Sequence, residues 1–151
     1  MPMMPLPGQI GVAALWPDNI RYIHVVSRTR MAKKILVVED GADVRSVVVA
    51  LLTRICSYQA IEAANGNEAV AKAVSQEPDL ILMDVSLPDI SGIDAARAVK
   101  GNPKTAHIPI IAQTGWSSGR WKAAALAAGM VAYLQKPVSM EMIISTIEKF
   151  L

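Results

Sequence analysis

The sequence predicts an α/β fold: a doubly wound, five-stranded parallel sheet built as (βα)5. Two observations carry this reading. Short apolar runs alternate with helical patterns five times between Lys34 and Leu151. Several runs are apolar throughout and not alternately so, as expected of strands covered on both faces. Five units are too few for an eight-stranded barrel, which leaves an open sheet with its binding crevice at the carboxyl ends of the strands. A length of 151 residues favours one domain. A hydrophobic fraction of 52% supplies a core and excludes a disordered or collagen-like chain.

The elements follow in order. Ile35–Val38 is a strand ending in Glu39-Asp40. Val44, Val47, Val48, Leu51, Leu52 and Ile55 recur at helical spacing and predict one buried helix face. Tyr58–Ala63 is a weaker strand, Asn65-Gly66 a turn, and Asn67–Gln76 an alanine-rich helix with Val70, Ala73 and Val74 inward. Leu80–Met83 is a strand ending at Asp84, and Ile93–Lys100 is a helix stopped by Gly101-Asn102-Pro103. Ile108–Ala112 is a strand ending near Thr114-Gly115, followed by a helix over Gly119–Ala128 that Gly129 closes. Val131–Leu134 is the last strand, ending before Lys136-Pro137. Ser139 is the expected N-cap of a final helix whose stripe is Met140, Ile143, Ile144, Ile147 and Leu151.

Residues 1–30 differ from the rest. Pro2, Pro5, Pro7 and Pro17, with Gly8 and Gly11, interrupt any helix or ladder, so they read as a disordered or strap-like extension, or as sequence ahead of a true start at Met31. Ile20–Val26 could instead add a short strand. A signal peptide fits poorly, because Arg21, the first positive charge, follows the apolar stretch. The net charge of +2 belongs to this segment; residues 31–151 hold 12 basic and 12 acidic side chains. A neutral body offers no basic face for nucleic acid. No apolar run reaches the ~18 residues of a membrane span. One cysteine, Cys56, forms no internal disulfide, and the chain reads as cytoplasmic.

The informative residues end the strands: Glu39-Asp40, Asp84, Thr114 and Lys136. In a parallel sheet these ends share one rim. Singly, each has an ordinary explanation as turn former, cap or exposed loop residue. Together they place three carboxylates, a hydroxyl and an ammonium at one crevice. Crowded carboxylates repel and need compensation, which Mg²⁺ supplies while keeping waters and a phosphate oxygen. Asp84 can then act as a nucleophile toward phosphorus and form an aspartyl phosphate. Lys136, Thr114 and nearby backbone N–H groups are candidate partners for the phosphoryl oxygens.

At this point the chain resembles the receiver domain of response regulators in two-component signal transduction, a flavodoxin/CheY-like fold, from about Met31 to Leu151. The stretches that carry the resemblance are KKILVVED, PDLILMDVSLPDISG, IPIIAQTG and AYLQKPVS. They are most like stand-alone, single-domain receivers of the DivK type. The resemblance implies Asp84 as phosphoacceptor and Asp40 as direct Mg²⁺ ligand. Glu39 would be the other acidic-pocket residue, and the Ser86 backbone carbonyl the third metal-ligand position. It implies Thr114 and Tyr133 as switch residues, Lys136 as the phosphoryl-pairing lysine and a cis Lys136-Pro137 bond. A histidine kinase or phosphotransfer protein would be the donor. A downstream protein would read the face formed by the fourth helix, last strand and last helix. With no output domain following Leu151, signalling would pass through protein contacts, and such a domain catalyses only its own phosphoryl transfer and loss.

Three departures bear on this. Leu87-Pro88-Asp89 stands where Met-Pro-Gly is common, so the loop is expected to turn less tightly. Glu39 replaces a more frequent Asp. Trp116 lies two residues after Thr114, where a bulky indole predicts slow phosphate loss. Competing readings are weighed on the same residues. An aspartyl phosphatase needs an acid two residues past its nucleophile, and Ser86 stands there. A dinucleotide site needs a glycine-rich turn, and the first strand runs into VEDGADVR. A pseudo-receiver that binds partners without phosphate remains the alternative, against which the complete set Glu39, Asp40, Asp84, Thr114 and Lys136 argues.

Overall fold

The structure, a computed structural model, describes residues 32–115 and 119–151. The readings of residues 1–30 and of Trp116 lie outside the described residues. Five parallel strands form one sheet: β1 (Lys34–Val38), β2 (Gln59–Ala63), β3 (Leu80–Asp84), β4 (Ile110–Thr114) and β5 (Ala132–Gln135), in the order β2-β1-β3-β4-β5. The helices are α1 (Ala42–Ala50), α2 (Gly66–Gln76), α3 (Gly92–Lys100), α4 (Gly119–Ala127) and α5 (Met140–Phe150). Strand order reverses between β1 and β3, so the crevice opens at the carboxyl ends of those neighbours.

Alternation along the strands divides the core in two. Ile35, Val37, Leu80, Leu82 and Ile111 face α1 and α5, meeting Val48, Leu52, Ile143 and Ile147. Leu36, Val38, Ile81, Met83 and Ala112 face the opposite side, where Ala69, Ala95 and Ala125 let the backbones of α2, α3 and α4 come close. Each fully buried Leu or Ile contributes roughly 1.5–3 kcal/mol. The central strands β3 and β4 are buried at every position, while the edge strands β2 and β5 are not.

Strand registers fall within two residues of the sequence reading, but β3 and β4 continue through Asp84 and Thr114 themselves. Three side-chain expectations are corrected. Val44, Val47 and Ile55 are exposed, at 46%, 57% and 67%, so the buried face of the first helix is Val48, Leu51 and Leu52. After Ala50 the helix widens into a π-type turn over Leu51–Ile55, with Cys56 N–H donating to the Leu51 carbonyl. That extra residue per turn rotates Ile55 off the stripe. Val74 is exposed because α2 is buried along Gly66, Ala69 and Ala73. Met140 is exposed too, since α5 packs through Ile143 and Ile147.

Helix ends carry the expected chemistry. Ser139 accepts the Met142 N–H at 3.1 Å, Ser91 the Asp94 N–H at 3.1 Å, and Asn65 the Glu68 N–H at 2.8 Å. Gly129 closes α4 at φ +91°, a left-handed position that favours glycine.

Gly92, at the start of α3, lies hard against the end of β3. A Cβ there would stand 2.1 Å from the Asp84 carbonyl oxygen and 2.8 Å from the Val85 Cα. Both are backbone atoms, which no rotamer change can clear. Helix propensity alone would make Gly92→Ala stabilising by about 1 kcal/mol. We expect the reverse, a loss of about 2 kcal/mol or more on urea denaturation, because α3 must move off β3. An unchanged or raised midpoint would contradict this packing.

Candidate functional site

The site is built from loop residues just past β1 and β5 and from the last residues of β3 and β4. Glu39 and Asp40 follow β1, Asp84 ends β3, Thr114 ends β4, and Lys136 follows β5. Glu39, Asp40 and Asp84 each bring one carboxylate oxygen within 4.8 Å of the others. Glu39 and Asp84 are buried, at 4% and 5% exposure, whereas Asp40 faces solvent.

One ammonium spans the two buried acids. Lys136 Nζ donates to Glu39 Oε2 at 2.6 Å and to Asp84 Oδ2 at 3.0 Å. The other Asp84 oxygen, Oδ1, accepts the Ser86 N–H at 2.9 Å. Burial pushes the Glu39 carboxyl above its ordinary range, and the neighbouring Asp84 adds to this while Lys136 opposes it. Burial alone would lower the Lys136 ammonium, but its bonds and attraction to Glu39 and Asp84 prevail and raise it.

The approach of Lys136 is fixed by the sheet. Its N–H donates to the Thr114 carbonyl at 2.7 Å, and the Lys136–Pro137 bond is cis, as the resemblance implied. Thr114 is fully buried. Tyr133 sits half-buried on β5 opposite Ala112, packed against the core shared with α2, α3 and α4, and burial raises its phenol. The site thus joins Glu39, Asp40, Asp84 and Lys136 directly and Ser86 through its N–H.

Three neighbours were not foreseen in the sequence. Arg45, on α1, donates to the Glu39 carbonyl at 2.7 Å and to Glu62 Oε1 at 3.1 Å, bracing the turn after β1. Gln113 is buried beside Lys136, in an open groove of about 580 Å³ between α1 and α5. Asp89 is the third. Its carboxylate accepts the Gly66 and Asn67 N–H groups, each at 2.8 Å. The loop after Asp84 is therefore tied down. No local spacing rule reveals these partners, which lie 22 and 23 residues away.

The chain is similar to known proteins. A model of the response regulator receiver domain matches residues 35–148. The chain is 34% identical over 121 residues to the polar-differentiation response regulator DivK of Brucella anthropi, covering 80% of this chain and 98% of that protein. Among solved structures, the chemotaxis protein CheY4 of Vibrio cholerae superposes with a TM-score of 0.75 at 31% identity, covering 80% of this chain and 99% of that one. The receiver domain of a Pseudomonas aeruginosa sensor histidine kinase superposes with a TM-score of 0.73 at 33% identity, covering 79% and 97%. That structure has a magnesium ion coordinated in its active site cleft. Among the described residues of the present chain, no helix is long and apolar enough to cross a membrane.

The charge arrangement predicts a pH-dependent cost for losing the lysine. Lys136→Met leaves Glu39 and Asp84 buried without their shared cation, which we expect to cost about 2–4 kcal/mol near neutral pH without added metal. Glu39 then titrates still higher in the folded state than in the unfolded chain, so the folded state binds more protons. Stability of the variant therefore rises as pH falls through that raised value, and the gap to the parent narrows toward pH ~5. Urea melts at several pH values check this; a gap that widens on acidification would contradict it.

Proposed function

Since the chain belongs to the response regulator receiver domain family, we propose that it accepts a phosphoryl group on Asp84 and signals by protein contacts. The donor is a histidine kinase or a phosphotransfer protein. The observation that carries this reading is the trio of carboxylates within 4.8 Å, two of them bridged by Lys136. Such crowding has little structural purpose, but it suits a nucleophile beside a cation site.

The donor set fits Mg²⁺: it is all oxygen and mostly anionic, as a hard divalent cation requires. Glu39, Asp40, Asp84 and the Ser86 backbone carbonyl are the residues assigned to hold it. Bound there, Mg²⁺ supplies positive charge to the phosphoryl oxygens.

Asp84 is assigned as the nucleophile. A carboxylate oxygen forms a bond to phosphorus while the bond from phosphorus to the donor's imidazole nitrogen breaks. The nitrogen keeps the electron pair and later takes a proton, leaving an acyl phosphate on Asp84. Lys136 exchanges its bonds to the carboxylates for one to a phosphoryl oxygen, and the Thr114 hydroxyl supplies another donor. Thr114 and Tyr133 then shift together, biasing a two-state equilibrium at the α4–β5–α5 face, where a downstream protein docks.

Incubation with Mg²⁺ and acetyl phosphate tests this by intact mass. We expect the addition of one phosphoryl group, absent in Asp84→Asn and in EDTA. No addition, from acetyl phosphate or from phosphorylated kinase, would favour a pseudo-receiver that binds partners without phosphate.

A further inference from the structure

We propose that Asp89 is a positioning residue: by clamping the N-terminus of α2 it holds the loop that carries Ser86 in place for the cation and for Asp84. The inference rests on the reading of Asp84 and its neighbours as a Mg²⁺-dependent phosphoacceptor site. Residues 85–91 join β3 to α3 and form one side of that site. At the near end Ser86 N–H grips Asp84 Oδ1 at 2.9 Å, and past the far end Gly92 N–H returns to the Val85 carbonyl at 2.8 Å. Between them Leu87 and Ile90 pack against the core, and the loop takes a polar anchor as well.

Asp89 supplies it. Its two oxygens take one N–H each from Gly66 and Asn67, both at 2.8 Å, so the carboxylate caps a helix from another part of the chain. These are unsatisfied N–H groups at a positive helix end, where an anion is favoured. Desolvation would raise the Asp89 carboxyl, but the N–H groups of Asn67 and Gly66, with those of Ile90 and Asp89 itself, outweigh it and hold it below its ordinary range. Packing reinforces the clamp: a Cβ on Gly66 would lie 2.5 Å from Ile90 Cγ1, so loop and helix are in close contact. α2 already has its own cap in Asn65, which accepts the Glu68 N–H. The Asp89 clamp therefore adds a tie between loop and helix beyond the cap that α2 already has.

If the loop is in its binding geometry only a fraction of the time, apparent affinity falls by that fraction. We expect Asp89→Ala to raise the Mg²⁺ dissociation constant about fivefold or more by calorimetry. Amide exchange of the 85–91 segment should also quicken, without any metal present. Asp89→Asn keeps one acceptor oxygen and should recover part of both. Asn65→Ala is the control: it weakens the start of α2 without touching the loop and should leave Mg²⁺ affinity near that of the parent. Unchanged loop exchange in Asp89→Ala would overturn the inference. So would an equal loss of Mg²⁺ affinity in Asn65→Ala, which would make the effect one of helix stability alone. Faster loop exchange in Asp89→Ala with no Mg²⁺ binding by the parent protein would instead uphold the clamp and overturn the cation site.

Discussion

Three carboxylates meeting at one crevice is the constraint on which the rest of this molecule depends. Two of them are buried, and an isolated buried carboxylate is costly. Lys136 offsets that cost by reaching both, from 97 and 52 residues away in sequence. It can do so only if the ends of β1, β3 and β5 lie on one rim. A parallel sheet with its order reversed between β1 and β3 puts them there. The 2.7 Å bond from Lys136 N–H to the Thr114 carbonyl then sets how far the lysine stands from the acids.

The fold protects that geometry where the chain is most crowded. α3 starts so close to β3 that only hydrogen fits on Gly92, and the loop between them is held at both ends. On the other side of the site, Arg45 braces the turn after β1 through the Glu39 carbonyl. The residues around the acids are thus fixed more by backbone bonds and close packing than by the acids themselves.

Most of the fold was legible from β1, β3 and β4, because strands covered on both faces are apolar at successive positions and end abruptly in polar residues. The polar strand ends were legible for the same reason: Glu39, Asp40, Asp84 and Thr114 mark the ends of those runs, while Lys136 follows the edge strand β5. What misled was the first helix. Val44, Val47 and Ile55 keep helical spacing with Val48, Leu51 and Leu52, yet stay exposed. Periodicity reports which residues share a face but not how much of that face is covered, and it does not anticipate the widening at Leu51–Ile55. The Asp89 tether was not legible for a different reason. Its partners are backbone N–H groups of another helix, and a backbone N–H has no letter in the sequence.

The same charge balance explains why the site is suited to switching. Lys136 divides one charge between Glu39 and Asp84 through two of its three N–H donors. On the proposed reading, a negative group added on Asp84 would compete for that ammonium with Glu39, whose carboxyl burial pushes above its ordinary range. Thr114, whose carbonyl accepts the Lys136 N–H, and Tyr133, on β5 three residues before Lys136, are the residues such a shift would reach. β5 is the edge strand of the sheet and is nowhere fully buried, so it can yield where β3 and β4 cannot. On the proposed reading, a change in charge at the buried end of β3 would be expressed at the edge of the sheet, where a partner would read it.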